Sequence, residues 1–416
     1  MLLVRTSVAL VGATCLVSFA PLATGQDAVD TGAGTGADTK TASGKLGATS
    51  HGEAGDQSWT VRLGLYDRDD SGGGGGNPFL DESLTIIEPA VIYDNQVSDD
   101  FGYDVKFSYD LVSSASIDGL SDYPASAQSG ASGDNYFSLD FGFRHKLSNT
   151  DNLSWHIDVA TEYDYTSFGV GGGWSHEFEE RDASLSLNLN LYEDIIQPIR
   201  FDGSTDADES RTSIAGTIGW YQVLGPRTHG EFGLTFSDQS GFLETAYNYV
   251  IEENSVSGSA VPNQSIPVVG YIDTEELPDS RTRTALFGRV RHGLSDTDAI
   301  ELGARLYDDD WGIAAWDLTP RWLHEFESGL LMDLRYRYYT QDAADYWSES
   351  FTGTGPTADL PTFRTQDSDL GEFNSSLLGS HWMWGREKQW DLGVNYLSRS
   401  DGLDHIFLSL GWTTSY

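Results

Sequence analysis

The sequence predicts an all-β protein: a transmembrane, antiparallel up-and-down β-barrel of about 16 strands, with short turns at one rim and long loops at the other. Three observations predict it. The apolar run of a secretory leader is followed by no run near the ~20 residues that a membrane helix needs. From residue 58 to the C-terminus the chain reads as 16 segments of roughly ten residues, the length and alternation of membrane strands. The long connections between those segments all follow odd-numbered ones, an asymmetry of outer-membrane barrels that a soluble sandwich does not predict.

The chain divides into a leader (1–25), a tail (26–57) and the barrel (58–416). Arg5 precedes an apolar run from Val8 to Phe19, and Ala23-Thr24-Gly25 is a small-x-small site before Gln26, as in a cleaved signal peptide. Cys15, the one cysteine, lies inside that run, so the processed chain has no disulfide and no thiolate chemistry. The tail is Gly, Ala, Thr, Ser and Asp with little apolar content and cannot pay for a core. Formal net charge is -40, or -41 once the leader takes Arg5 and no acid with it. Such a chain repels nucleic-acid phosphates and attracts cations.

In order, the segments are 58–68, 84–94, 101–112, 135–146, 153–165, 168–178, 183–192, 212–222, 229–237, 282–292, 299–307, 312–324, 329–340, 369–382, 389–398 and the closing strand from His405. Side chains of a strand point alternately to its two faces, so each segment can be split into an apolar and a polar face. The third sets Phe101, Tyr103, Val105, Phe107, Tyr109 and Leu111 against Asp104, Lys106, Ser108 and Asp110. The long connections 69–83, 113–134, 193–211, 238–281 and 341–368 all follow odd-numbered segments. Those after even segments are short, as at 147–152, 223–228 (with Gly225-Pro226) and 325–328. Residues 242–251 read as an outward extension of the ninth strand, since a further strand would break this parity.

The closing strand sets Ile406, Leu408, Leu410 and Trp412 against Ser409, Gly411, Thr413 and Ser415, and ends on Tyr416. It resembles the C-terminal strand of bacterial outer-membrane barrels. That likeness implies outer-membrane lipid and the outer-membrane assembly machinery as partners. Tyr103, Tyr163, Tyr165, Tyr336, Tyr338, Trp412 and Tyr416 are the candidate girdle at the membrane boundary.

Catalytic signals are weak. The histidines are scattered without metal-ligand spacing, no G-x-S-x-G element occurs, and Gly72 to Gly76 lacks the Lys of a phosphate loop. No Ser–His pair stands above background, so no enzyme is predicted. Asp308, Asp309 and Asp310 are weak candidates for Ca²⁺ on an outer loop, against a plain reading as solvated charge. No other cofactor is implied.

The polar faces carry more. Arg289, Arg291, Arg305, Arg321, Arg335 and Arg337 fall on one quarter of the wall, and Asp104, Asp110, Asp140, Asp158, Glu162 and Asp164 fall on the quarter opposite. Two readings stay open: a basic wall facing an acidic wall across a lumen, or structural ion pairs within each wall with Glu301, Asp317 and Asp333.

Arg335-Tyr336-Arg337-Tyr338-Tyr339-Thr340-Gln341-Asp342-Ala343-Ala344-Asp345-Tyr346-Trp347 resembles a stretch in a family of uncharacterised bacterial outer-membrane proteins, domain of unknown function thirty-five-seventy. The resemblance implies an outer-membrane barrel and no activity. Read from its residues alone, the stretch is a strand end whose Tyr336 and Tyr338 face lipid, with 342–347 folding over the outer mouth. The functional expectation is a porin-like channel for small polar or charged solutes, with a plugged structural or adhesive surface barrel as the alternative and a soluble secreted β protein as the remote one.

Overall fold

Backbone pairing closes the chain on itself. The computed structural model describes residues 53–69, 84–114, 135–178, 182–200, 204–246, 248–253, 259–260, 269–352, 360–385 and 388–416. The leader, residues 26–52 of the tail and the Gly72 to Gly76 run lie outside these residues. The strands are β1 (Gln57–Asp69), β2 (Leu84–Ser98), β3 (Phe101–Ser114), β4 (Asn135–Lys146), β5 (Asp151–Thr161), β6 (Tyr165–Phe178), β7 (Ala183–Ile196), β8 (Glu209–Gly225), β9 (Thr228–Gly241), β10 (Tyr249–Glu253), β11 (Ser259–Ala260), β12 (Val269–Thr274), β13 (Ser280–Gly293), β14 (Asp298–Asp309), β15 (Ala314–Glu325), β16 (Leu331–Gln341), β17 (Phe351–Thr352), β18 (Phe373–Trp384), β19 (Lys388–Arg399) and β20 (Asp404–Ser415).

Sixteen of them form one closed antiparallel barrel in the order β1 to β9, β13 to β16, β18, β19, β20. The seam pairs β1 with β20 from Ser58↔Ser415 to Asp69↔Asp404, and Gln57 and Tyr416 exchange two further backbone hydrogen bonds. Closure leaves no strand edge unpaired in the ring, which is the condition for crossing hydrocarbon without helices. The long connections all follow odd-numbered strands of the ring, although 162–164, 310–313 and 400–403 at the same rim are as short as the turns opposite.

The alternation sets the two faces. Along β1 the outward Leu63 is 49% exposed while its inward neighbour Arg62 is 3% exposed. Across the seam Val61↔Trp412, Leu63↔Leu410 and Leu65↔Leu408 continue the apolar outer band. Tryptophan marks the short-turn end of that band: Trp59, Trp155, Trp174, Trp220, Trp322, Trp382, Trp384, Trp390 and Trp412 all lie on the outward face near it. Trp59 packs on Tyr93 (centroids 4.7 Å apart), and Trp155 stacks on Phe143 at 3.8 Å. Rings with one polar atom are stable where hydrocarbon meets water.

One corner of this rim occurs twice. Leu147-Ser148-Asn149-Thr150-Asp151 recurs as Leu294-Ser295-Asp296-Thr297-Asp298, and Trp174-Ser175-His176-Glu177-Phe178 as Trp322-Leu323-His324-Glu325-Phe326. The geometry recurs with the sequence. Ser148 and Thr150 hydroxyls donate to Asp151 Oδ2 (2.7 and 2.9 Å), and Ser295 and Thr297 to Asp298 Oδ2 (2.8 and 3.0 Å). His176 Nδ1 lies 2.9 Å from Asp151, and His324 Nδ1 lies 2.8 Å from Asp298. Each His meets its Phe edge-on, at 4.6 and 4.4 Å. The corner made by the β4–β5 turn and the end of β6 is therefore repeated at the β13–β14 turn and the end of β15.

Two expectations are corrected. Residues 242–251 do not extend the ninth strand: β9 ends at Gly241, whose φ of 110° turns the chain. Tyr249–Glu253 then joins a separate four-stranded sheet, β11-β12-β10-β17, above the long-loop rim. The fifth segment was read too long. β5 stops at Thr161 and a three-residue turn, Glu162 to Asp164, leads into β6.

Candidate functional site

The turn after β5 moves four predicted residues. Glu162 and Asp164 sit in the turn rather than along a lumen wall. Tyr163 stands out at its tip, 69% exposed. Tyr165 faces inward, because alternation restarts after the turn, and its hydroxyl donates to Asp194 Oδ1 at 2.9 Å. It is no girdle residue. Tyr103, Tyr336, Tyr338 and Trp412 face outward. Tyr336 lies at mid-strand with its hydroxyl 2.9 Å from Ser376 Oγ, and Tyr338 packs on Trp316 near the long-loop end. Tyr416 is exposed beyond the end of β20.

All six predicted arginines face the lumen. Most meet carboxylates of the same or the adjoining strand: Arg289 with Glu231 of β9 (2.6 Å), Arg291 with Glu301 (2.7 Å), Arg321 with Glu301 (2.9 Å) and with Asp333, and Arg337 with Asp317 (2.9 Å). Arg335 donates to the neutral Asn395 Oδ1 at 2.9 Å. Asp104, Asp110, Asp140 and Asp158 face inward on the opposite quarter. There Arg144 bridges Asp94 and Asp104 at 2.7 and 2.9 Å.

Pairing does not cancel the walls. Histidines aside, the inward positions of β13 to β16 hold Arg281, Arg283, Arg289, Arg291, Arg305, Arg321, Arg335 and Arg337 against Glu301, Asp309, Asp317, Glu325 and Asp333, a formal +3. Those of β2 to β5 hold Glu88, Asp94, Asp104, Asp110, Asp140 and Asp158 against Lys106, Arg144 and Lys146, a formal -3. Strands two to five of the ring face strands ten to thirteen, which are β13 to β16. Excess charge of opposite sign therefore faces across the lumen.

The long-loop mouth carries a packed cap. Leu243, Leu277, Trp311, Ile313, Ala344 and Leu370 form its core, with Tyr307, Tyr346 and Trp347 against it. Gly312 makes the turn under it at φ 91°, where an added Cβ would lie 2.6 Å from Asp345 Oδ1. The acids 308–310 serve this turn. Asp309 accepts from Arg281 (2.6 Å), from the Tyr307 hydroxyl (2.8 Å) and from the N–H groups of Trp311 and Ile313, and Asp310 accepts from Thr282 N.

A short 3-10 turn, Ser368–Leu370, hangs from the cap into the mouth. Asp369 is ion-paired to Arg399 of β19 and, at 3.4 Å, to Arg68 of β1. Arg399 also donates to Ser368 O (3.0 Å), and Gln341 of β16 donates to Asp369 O (3.0 Å) and Gly371 O (2.7 Å). Burial alone would raise the Asp369 carboxyl, but the Arg68 and Arg399 guanidiniums prevail and hold it below the usual carboxylate range. This latch ties the cap to inward residues of three wall strands. The sequence reading missed it because its members are separated by up to some 300 positions.

Behind the latch, Glu275 is buried among Thr245 N (2.7 Å), Thr365 Oγ1 (2.6 Å) and Asn248 Nδ2 (3.5 Å), and Asn248 also donates to Asp367. Burial pushes the Glu275 carboxyl up to about 7, with the nearby Glu244 adding to the rise and the three donors opposing it. The folded cap therefore holds a proton more tightly than the opened cap, whose carboxyl titrates near 4.5. Stability from this group is present at pH 4.5 and below and is lost as pH rises through about 7. Amide exchange at 243–250 and 360–371, corrected for its intrinsic pH dependence, is expected to quicken between pH 5 and 8 and to lose that trend in Glu275→Gln. An identical trend in the variant would contradict this.

With this geometry in view, the comparisons can be placed. A model of the family described as "Protein of unknown function (DUF3570)" matches residues 33–401. The chain belongs to that family. No curated protein matches it. Among solved structures it is similar to a bacterial polysaccharide outer membrane secretin (10% identity, TM-score 0.46, 88% of this chain and 100% of that one). It is also similar to OccK8 (OprE) of Pseudomonas aeruginosa (9%, 0.38, 86% and 98%). A third is the siderophore receptor PirA of Acinetobacter baumannii (9%, 0.43, 84% of this chain). The chain spans about half of PirA, 53% of its length. What the family does is not given by its description, so the residues of the lumen carry the functional argument.

Proposed function

We propose that this family member is an outer-membrane channel through which small polar or charged solutes diffuse passively along a charged lumen. The observation that supports this most is the opposed formal charge, +3 on β13 to β16 and -3 on β2 to β5, of which the buried Glu88 and Asp110 supply two. Charge that served only to hold the walls together would be balanced within each wall, since an uncompensated charge away from water is costly. A surplus on each side is better explained by a water-filled lumen in which field lines run from wall to wall. The cap supports a second reading, a surface barrel whose mouth is covered. The two differ in conduction: purified protein in planar bilayers is expected to show discrete current steps as a channel and none as a covered barrel.

A further inference from the structure

We propose that Glu88 and Asp110 form a binding site for a hard divalent cation on the lumen wall. Pro89 interrupts the β2–β3 ladder, and the flanking pairs Ile87↔Leu111 and Ala90↔Ser108 set Glu88 beside Asp110. Both side chains alternate to the inward face, and directly opposed residues of neighbouring strands lie close enough for their side chains to meet. Both are almost wholly buried: Glu88 is 1% and Asp110 5% exposed. Yet among the described residues neither carboxylate oxygen of Glu88 has a hydrogen-bond partner, and Asp110 Oδ1 has none. Buried polar atoms are nearly always satisfied, and two adjacent orphaned carboxylates ask for a shared counter-charge.

The basic neighbours do not supply it. Arg62 is engaged by Asp391 at 3.2 Å, and Asp391 also faces His381. Lys106 stands four residues along the strand from Asp110, in register with Asp140, and hydrogen-bonds neither Glu88 oxygen nor Asp110 Oδ1. On the β1 side Glu88 is in register with Gly64, which brings no side chain, and on the β4 side Asp110 is in register with the buried Tyr136. Two carboxylates offer up to four oxygens to a cation that binds oxygen ligands at 2.0–2.6 Å and completes its shell with water. The site stands whether or not the lumen conducts, so its test is a binding measurement.

Equilibrium dialysis of the purified, folded barrel with radioactive Ca²⁺ in 0.15 M KCl tests it, salt suppressing weak association with exposed acids. One bound Ca²⁺ per chain is expected to disappear in Glu88→Gln and in Asp110→Asn at about 1 mM free ion. It is expected to persist in Asp99→Asn, an exposed acid at the short-turn rim. Retention of Glu88→Asp binding would separate ligation from packing, and resistance of each variant to SDS unfolding without heating verifies the barrel. Ca²⁺ stoichiometry unchanged in the folded Glu88→Gln and Asp110→Asn variants would overturn the site and leave the two carboxyls sharing protons only.

Discussion

Replacing Asp369 by asparagine is expected to release the cap from the barrel wall. Arg399 is fully buried and Arg68 nearly so, and Asp369 is the carboxylate both share. Removing one partner of a buried ion pair costs about 3–5 kcal/mol, because the remaining charges keep their desolvation penalty. Arg399 retains Asp401 and the face of Phe373 at 3.8 Å, so the loss should fall on the Ser368–Leu370 turn rather than on the barrel. Amide exchange at 365–371 should rise by orders of magnitude while that of β1 and β19 stays slow. Channel current should rise too, since the turn occupies the mouth. Unchanged protection at 365–371 would show that the apolar core around Trp311 holds the cap without the latch.

The second large effect is on ion selectivity. Arg335 and Arg283 both donate to neutral amides, of Asn395 and Gln239. The double change Arg283→Gln/Arg335→Gln lowers the wall from +3 to +1. Across about 10 Å of water each charge is worth roughly 0.4 kcal/mol to a permeating ion, so losing the pair should favour K⁺ and disfavour Cl⁻ about fourfold each and raise the K⁺/Cl⁻ permeability ratio up to about sixteenfold before screening. Recordings belong at 0.1 M salt, where the screening length is near 10 Å. Asp140→Asn/Asp158→Asn on the other wall should move the ratio the opposite way. A reversal potential that ignores both doubles would leave the charges a purely structural role.

Much of the barrel was legible because its grammar is local. Period-two alternation places Leu63 outward and Arg62 inward wherever the strand starts, and parity of the connections orients every hairpin. Errors arose where alternation is interrupted. The Glu162 to Asp164 turn is polar and short enough to pass for strand, which turned Tyr165 to the wrong face. Glu88 was hidden in an apolar run beside Pro89, although its register with Asp110 follows once β2 and β3 are paired. Arg281 was missed because Ser280-Arg281 was read as loop, and Arg283 although it shares the face of Arg289. Of the cap only the fold of 342–347 over the mouth was legible. Trp311, Leu370 and Leu243 meet only because the ring brings their loops to one mouth, and no periodicity records that. The duplicated corner was visible in the sequence as two near-identical pentapeptide pairs, at an offset of 147 and 148 positions, and a search for repeats would have found it.

Passage of solutes through a charged, water-filled lumen is tested most directly by single-channel recording from the purified, folded barrel in planar bilayers. The account predicts discrete steps in wild type and larger steps in Asp369→Asn. No steps from either protein, with both folded and inserted, would contradict it.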